Sequence, residues 1–447
     1  MQRHATAPVQ RRRRPWLPDA ELDANPIGSW SLEMTFDLWI RAFYCREILL
    51  PEDFRIQPGT VIASNHQRDV DGPMLGTVLV RRRGLHFQWP LPFYATREDL
   101  FRSGILSRLT MHWPPLLSAL LGRMSLAWFF PLGRAEPMRR VREFTLGETL
   151  RMLCATGCTD DTCSMHLNTR GCRELGVGAA NLRLCDALQQ PGAPLETLWG
   201  LRRLTRASIK RIAPSFRATV DAQIAHFAER LDRGRCVYFS PEGTISASGH
   251  FGRVRQGFLR LARTAATPPW IQPIGVSYDT LAPGRSRVLI HIGQAFRADT
   301  TLDRRAFDAT LRRAVLALEP ITPSHLLARF LRQGPRTFTR DELVYWLTGC
   351  LATMRARGTT LDPAWARMPI LELTEQRLRW LVRKRLVARD NERFRNTCPH
   401  GAKPGWRKSA NIVRYLDNSL TDLAPMGLLT PGQTVAPSAI CLQGKEE

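Results

Sequence analysis

Long apolar runs and lysine are both scarce in this sequence of 447 residues. No stretch reaches the ~18 uncharged apolar residues of a standard membrane-spanning helix, so we expect none. Lysine occurs only five times among 64 basic residues, a bias that a GC-rich genome would also produce. The start of the chain, MQRHATAPVQRRRRPW, lacks the apolar core of a secretory signal. We therefore expect the ten cysteines to be reduced and cytosolic.

Positive charge, by contrast, is abundant. The formal net charge is +24, and a field of this sign attracts anionic partners. These include a phospholipid surface, a phosphorylated substrate, a thioester carrier and nucleic acid. The apolar fraction of 44% is ordinary for a globular chain. The length favours two domains, or one domain with large additions.

Composition and pattern divide the chain into three parts. Residues 1–29 form a basic tail rich in arginine and proline. Residues 30–330 alternate strand and helix patterns, which predicts an α/β domain with a central mixed sheet flanked by helices. A long insert at 135–215 interrupts this domain. Residues 331–447 are predicted to be mostly helical, with a helix–helix–hairpin order that resembles a winged-helix module.

Several local patterns predict individual elements. A helix is expected from Trp30 to about Leu49, and strands are expected at Thr60–Ser64 and from Leu126 to Leu132. In the insert, an amphipathic helix is predicted over 198–216. The residues expected on its apolar face are Leu201, Leu204, Ser208 and Ile212. Those expected on its basic face are Arg202, Arg203, Arg206 and Lys210.

The first chemical motif is Asn65-His66-Gln67-Arg68-Asp69-Val70-Asp71, which follows directly on the predicted strand 60–64. Its carboxylate lies five residues beyond its histidine, in a turn that leads into a helix. This spacing can bring Asp71 against the His66 imidazole, where it would fix the ring tautomer and stabilise the imidazolium. His66 is therefore a candidate general base, although a histidine followed by an aspartate is a common chance pattern.

The second motif is Phe239-Ser240-Pro241-Glu242-Gly243-Thr244, again at the end of a predicted strand. A Pro-acid-Gly turn at this position can present backbone N–H groups and a hydroxyl to a substrate. The same three residues also form ordinary turns, so the motif alone does not assign a function.

Together the two motifs resemble motifs one and three, NHxxxxD and FPEGT, of the 1-acylglycerol-3-phosphate acyltransferase superfamily. The resemblance covers residues 30–134 and 216–320, and four further segments match the family in the same order. These segments are Phe93 to Phe101 (FYATREDLF), Phe130-Pro131-Leu132-Gly133-Arg134, Gln256 to Ala262, and Gln272-Pro273-Ile274-Gly275-Val276.

The resemblance implies transfer of a fatty acyl group from an acyl-CoA or acyl-carrier-protein thioester to the hydroxyl of a lysolipid. His66 would deprotonate that hydroxyl, and Asp71 would orient His66 and stabilise its charge. Arg134 would hold the acceptor phosphate. The remaining residues expected to bind substrate are Asn65, Glu242, Gly243 and Thr244. The reaction would need no metal and no cofactor beyond the thioester co-substrate.

Two positions depart from the family pattern. Ile245 stands where an arginine often follows Gly-Thr, so either Arg253 or Arg255 substitutes for it or the acceptor lacks a glycerol phosphate. Arg68 stands where a small polar residue is common, and it would meet an anionic carrier or face solvent.

We expect 1-acyl-glycerol-3-phosphate as acceptor, with glycerol 3-phosphate or an amino-acid lysolipid as alternatives. A sequence from Asn411 to Leu420 faintly resembles a helix of glycerol-3-phosphate acyltransferases.

The insert contains a dense group of thiols, Cys154, Cys158, Cys163 and Cys172, together with His166. Four such ligands could hold zinc, but the spacing matches no standard zinc module, and scattered reduced cysteines are the simpler expectation. The basic helix 198–216 and the Leu- and Trp-rich stretch 105–124 are candidates for membrane contact. Core packing explains both equally well.

These observations predict a peripheral enzyme on the cytoplasmic face of a membrane, active in phospholipid biosynthesis. Its expected partners are a lysolipid acceptor, an acyl thioester donor and an anionic membrane surface. A nucleic-acid-binding protein or an inactive scaffold is the alternative class. Nucleic acid is not expected as a partner, because arginine is spread over the whole chain and aromatic residues are not interleaved with it.

Overall fold

The structure is a computed structural model that describes residues 26–51, 54–79, 82–83, 86–87, 92–101, 129–139, 144–176, 178–190, 194–196, 200–398 and 411–424. The predicted basic tail up to residue 25 and the Leu- and Trp-rich stretch 105–124 lie outside these ranges. The described residues form α-helices joined by strands, as the alternating pattern predicts.

In chain order the helices are α1 (Pro26–Phe43), α2 (Asp71–Leu79), α3 (Phe129–Leu132), α4 (Leu146–Leu153), α5 (Cys163–His166), α6 (Thr169–Leu175), α7 (Leu184–Gln189), α8 (Arg206–Asp232), α9 (Gln256–Thr264), α10 (Arg304–Leu316), α11 (Pro323–Gln333), α12 (Arg340–Ala356), α13 (Ala364–Arg367), α14 (Ile370–Arg383) and α15 (Ile412–Thr421). The strands are β1 (Tyr44–Leu49), β2 (Thr60–Ser64), β3 (Arg82–Arg83), β4 (His86–Phe87), β5 (Pro92–Arg97), β6 (Ala135–Met138), β7 (Cys236–Tyr238), β8 (Trp270–Asp279), β9 (Ser286–Ile292), β10 (Phe296–Arg297), β11 (Thr337–Thr339), β12 (Val387–Asp390) and β13 (Arg393–Asn396).

The chain divides into two compact units. Unit one comprises Met1–Leu32 and Phe93–Phe227, and unit two comprises Glu33–Pro92 and Ala228–Glu447. The predicted insert lies in unit one. The predicted C-terminal region belongs to unit two, where α11 packs on α15.

Unit two is built on a mixed sheet in the order β1-β9-β8-β2-β7, with β10 added antiparallel to β8. Strand β2 runs parallel to both β7 and β8, whereas β8 and β9 are antiparallel. The carboxyl ends of β2, β7 and β8 therefore meet at one edge, where α/β proteins commonly place their sites. The predicted α/β class with a mixed sheet and flanking helices is confirmed.

The core of unit two fixes this edge. Every residue of β2 is buried, as is all of β8 after its first residue. Strands buried on both faces read as continuous apolar runs, which explains why β2 could be predicted with its observed bounds. Helices α9 and α10 pack beside β7 through aromatic contacts. The ring centroids of Phe239 and Phe258 are 5.8 Å apart, and those of Phe258 and Phe307 are 6.1 Å apart.

Unit one contains the parallel pair β5–β6 and a helical insert with its own core. Helix α4 begins with a capping box, in which Thr145 and Glu148 each satisfy the other's backbone N–H. The single helix predicted over 198–216 is wrong, because a 3-10 turn at Gly200–Arg203 is followed by α8, which begins only at Arg206. The residues expected on its apolar face are nonetheless buried, and Leu201, Leu204 and Ile212 belong to the insert core, as the core-packing alternative expected.

Three further predictions about these elements are wrong. The segment ending at Leu132 is the helical turn α3 rather than a strand, and the strand β6 starts only after Arg134. Short apolar runs do not by themselves distinguish helix from strand. The first helix ends at Phe43, because residues Tyr44–Leu49 pair in parallel with β9. Arg203 was expected on the basic face, but it is buried and its Nε donates to Glu174 at 2.7 Å.

The C-terminal region shows the predicted helix–helix–hairpin order in α12, α14 and the hairpin β12–β13. Strand β11 completes a three-stranded sheet by pairing with β13. The Phe338 and Phe394 rings on these two strands stack with their centroids 5.8 Å apart. The following helix, α15, contacts the loop that follows the second motif.

Candidate active site

Asn65 fixes the start of the first motif to the neighbouring strand. Its Nδ2 donates to the Val276 carbonyl at 2.8 Å, and the Val276 N–H donates to Asn65 Oδ1 at 2.7 Å. This side chain thus continues the pairing of β2 with β8 by one more step. The geometry favours a positioning role for Asn65 over the predicted contact with substrate.

Asp71 and His66 form the predicted pair. His66 Nδ1 lies 3.0 Å from Asp71 Oδ2, which also accepts the N–H groups of Gln67 at 2.7 Å and Arg68 at 2.8 Å. Tyr278 donates its hydroxyl to the other carboxylate oxygen. The Asp71 side chain is fully buried, whereas that of His66 is 21% exposed. A carboxylate held this firmly orients the ring with Nδ1–H toward Asp71, which leaves the Nε2 lone pair as the proton acceptor.

The Nε2 atom of His66 has no hydrogen-bond partner in the described part of the chain. The ring is carried by the turn between β2 and α2, which the Asp71 N–H closes by donating to the Arg68 carbonyl at 3.1 Å. The arrangement can therefore remove a proton from a hydroxyl group brought to the exposed side of the ring.

Glu242 joins the second motif to the first. Its Oε1 accepts the His66 backbone N–H at 3.2 Å, and its Oε2 accepts the Gly252 N–H at 2.9 Å. Burial raises the pKa of Glu242 to about 6, against the two backbone hydrogen bonds that lower it. Glu242 is therefore engaged in holding the site together.

Gly243 and Thr244 complete the turn. Gly243 has a φ of +63°, a conformation that favours glycine, and its N–H donates to the Ser240 carbonyl at 3.0 Å. Thr244 is half-buried, and among the described residues its hydroxyl makes no hydrogen bond. Of the second motif, Thr244 is thus the side chain best placed for a substrate.

Arg255 lies against this turn. A Cβ on Gly243 would be 3.1 Å from Arg255 Cγ, and Arg255 Nε donates to the Glu242 carbonyl at 2.9 Å. Its side chain is exposed. Of the two residues that were predicted to replace the missing arginine at Ile245, Arg255 is the one held at the turn.

Arg68 does not extend into solvent as one interpretation expected. Its guanidinium carbon lies 3.9 Å from the centroid of the Tyr278 ring. A cation over an aromatic face is stabilised by the ring quadrupole. Arg68 therefore covers the phenol that binds Asp71.

Glu319 was missed by sequence reasoning. Gln67, an unassigned position of the first motif, donates its Nε2 to Glu319 Oε1 at 2.9 Å. Burial raises the pKa of Glu319 to about 8, and the charges of Asp422 and Glu242 add to the shift. A partner 252 residues away leaves no local signal in the sequence.

Helix α15 anchors the loop that follows the second motif. Asp422 accepts the Phe251 N–H and lies 3.0 Å from His250 Nδ1, while Asn418 Nδ2 donates to the Ser248 carbonyl at 2.8 Å. Gly249, at φ +92°, packs so closely that a Cβ would fall 2.0 Å from the Tyr415 carbonyl oxygen. The faint resemblance at 411–420 was the one signal that pointed to this helix.

A continuous chain of contacts thus runs from α15 to His66. Asp422 accepts the Phe251 N–H. Glu242 accepts the N–H of the adjacent Gly252 through one carboxylate oxygen and the His66 N–H through the other. The Tyr415 phenol has its pKa raised by burial and by the charges of Asp71 and Glu319. This phenol is therefore a further polar group near the site.

Arg134 lies in unit one, outside the unit that contains His66 and Asp71. It is buried and has a φ of +54°. Its N–H donates to the Pro131 carbonyl at 2.9 Å, and its own carbonyl accepts the Tyr94 N–H at 2.9 Å. These bonds join α3 to β5 and β6, and a role in holding the acceptor phosphate stays a prediction.

No protein-family model matches this chain, and no curated protein shows significant similarity to it. Within the described ranges, no helix has both the length and the apolar character needed to cross a bilayer.

Proposed function

We propose that this protein is an O-acyltransferase that moves a fatty acyl group from a thioester to the hydroxyl of a lysolipid. The observation that carries the proposal is the His66–Asp71 pair, whose carboxylate is buried and whose Nε2 is left to a substrate. The resemblance of both motifs to the acyltransferase superfamily supports the same reaction.

His66 Nε2 takes the proton of the acceptor hydroxyl as its oxygen attacks the thioester carbonyl carbon. The resulting tetrahedral adduct collapses by breaking the carbon–sulfur bond, and the imidazolium returns its proton to the leaving thiolate. Asp71 stabilises the imidazolium between these steps. Overall, an ester forms, a thioester is consumed and a free thiol is released, so no oxidant or metal is required.

The acceptor is proposed to be 1-acyl-glycerol-3-phosphate, with its phosphate met by Arg255 at the turn where Ile245 replaces the usual arginine. A guanidinium suits phosphate because its N–H groups form a fork that matches the phosphate oxygens. The donor is acyl-CoA or an acyl-carrier protein. The positive charge of the chain favours an enzyme bound peripherally to an anionic membrane on its cytoplasmic face.

The test is transfer of a labelled acyl group from each donor to lysophosphatidic acid, glycerol 3-phosphate and an amino-acid lysolipid. We expect the wild-type protein to acylate lysophosphatidic acid and Arg255→Gln to lose this transfer. Transfer to the amino-acid lysolipid alone would retain the reaction and reassign the acceptor. Folded protein that binds anionic liposomes but acylates none of the three would contradict the proposal, as would binding to DNA in preference to liposomes.

A further inference from the structure

A second cluster of reactive side chains lies in the insert, in unit one. Cys158 Sγ, a carboxylate oxygen of Asp161 and a ring nitrogen of His166 all lie within 4.8 Å of one another. Cys158 and His166 are buried, and Asp161 is partly exposed. The structure thus regroups the predicted thiol cluster, because Asp161 joins Cys158 and His166 while Cys154, Cys163 and Cys172 lie outside the group.

The backbone of each member is fixed by the insert itself. The Asp161 N–H donates to the Cys158 carbonyl at 3.2 Å, and the Leu184 N–H donates to the Asp161 carbonyl at 3.0 Å. The Thr205 N–H donates to the His166 carbonyl at 2.8 Å. The three side chains are therefore brought together by the fold of the insert and need no ion to assemble them.

The orientation of His166 is also set. Its Nδ1 is hydrogen-bonded to the buried Ser208 hydroxyl at 2.9 Å, and its Nε2 faces Asp161 Oδ2 at 2.8 Å. Metal-binding histidines characteristically have their second ring nitrogen held by such a partner, which fixes the tautomer. His166 accordingly presents Nε2 to the other two ligands.

A cationic side chain also contacts the cluster. Arg211 donates a guanidinium N–H to the Cys158 sulfur. The sulfur keeps further lone pairs, so this bond and a bond to a metal can coexist.

We propose that Cys158, Asp161 and His166 bind one zinc ion, with water as the fourth ligand. Thiolate, imidazole and carboxylate are the ligands that zinc takes in proteins, and three protein ligands with one open position is an established arrangement. Binding releases to solvent the Cys158 thiol proton and the Nε2 proton that His166 donates to Asp161, while Nδ1 takes up a proton and donates it to the Ser208 hydroxyl. The ion ties the turn at Cys158 to helix α5 and takes no part in acyl transfer.

The first experiment is metal analysis of the full-length protein after zinc loading and gel filtration. We expect about one zinc ion per chain, and less than a tenth of that in Cys158→Ser and in His166→Gln. Cys185→Ser is the matched control, because it removes a thiol of the same insert outside the cluster. Cobalt substitution gives a second readout, in which the thiolate-to-cobalt absorption is present in Cys185→Ser and absent in Cys158→Ser.

Folding must be separated from ligation. Asp161→Asn changes only a partly exposed ligand, so we expect a folded variant by circular dichroism with at least tenfold weaker zinc binding. Absence of stoichiometric zinc in the loaded wild-type protein would overturn the proposal. Equal zinc in the wild type and in all three ligand variants would also overturn it, because the ion would then be adventitious and bound elsewhere.

Discussion

Two histidine–aspartate pairs in this molecule have the same separation of five residues in sequence, in opposite order. In unit two, His66 contacts Asp71 through Nδ1 at 3.0 Å, with side chains 21% and 0% exposed. In the insert, His166 contacts Asp161 through Nε2 at 2.8 Å, with side chains 8% and 36% exposed. The two pairs therefore differ in which partner is hidden from solvent.

That difference separates the two kinds of chemistry. A general base needs a ring nitrogen that a substrate can reach, together with a carboxylate that is firmly held on the other side. His66 has both, whereas both ring nitrogens of His166 are engaged, one by Asp161 and one by Ser208. The shared spacing thus carries less information than the burial of each partner.

The largest effect is expected from Asp71→Asn, which removes the negative charge of the buried partner of His66. The amide cannot stabilise an imidazolium, so kcat/KM for acyl transfer should fall on the order of 10²–10⁴-fold. The matched variant Asp161→Asn should leave transfer nearly unchanged. Both rates are measured on protein whose circular dichroism shows a native fold. Similar losses in the two variants would show that burial does not distinguish the pairs.

A smaller effect on kcat is expected from a residue that supports His66 only indirectly, and none from the neighbour of His166. Asp422→Ala removes the acceptor of the Phe251 N–H and loosens the loop that holds Glu242, so kcat should fall by about 10- to 100-fold, the loss expected for a hydrogen bond to a charged group. Ser208→Ala removes the neighbour of His166 and should not alter kcat. An unchanged kcat in Asp422→Ala would show that α15 is not coupled to the site.

A third effect concerns stability rather than activity, and its dependence on pH has opposite sign in the two regions. The pKa of Glu319 is raised to about 8 from an ordinary 4.5. The folded protein therefore keeps a proton that the unfolded chain has released, and stability falls as pH rises from about 4.5 to about 8. Glu319→Gln should flatten that decline in the free energy of unfolding.

Glu174 in the insert gives the contrasting case. Its hydrogen bond with Arg203 lowers its pKa below the ordinary 4.5. Its contribution is therefore present above pH 4.5 and is lost as pH falls through the lowered pKa. In urea unfolding, Glu174→Gln should be less stable at neutral pH and should lose less stability in acid, while its slope between pH 4.5 and pH 8 stays that of wild type, unlike Glu319→Gln. The same slope in both variants would contradict these assignments.

The sequence predicts local features of this protein better than distant ones. Strand β2 and the His66–Asp71 pair follow from a buried apolar run and a five-residue spacing, both readable within a dozen positions. The hydroxyl that binds Asp71 belongs to Tyr278, 207 residues away, and only the parallel pairing of β2 with β8 brings it there. No periodicity could have indicated that contact.

Periodicity also fails where a charged residue is buried by pairing with a distant one. The helical pattern of 198–216 placed Arg203 on the basic face, yet Arg203 is buried and pairs with the partly exposed Glu174. The thiol spacing similarly grouped four cysteines with His166. The structure selects Cys158 and adds Asp161, because ligand sets depend on the folded insert rather than on intervals along the chain.

The most direct test of the central claim is acyl transfer by His66→Ala and His166→Ala, compared with wild type under identical donor and acceptor concentrations. The account predicts that His66→Ala binds the donor normally and transfers no acyl group above background. It predicts that His166→Ala retains transfer while losing zinc. A folded His66→Ala protein with wild-type transfer would contradict the assignment of His66 as the base.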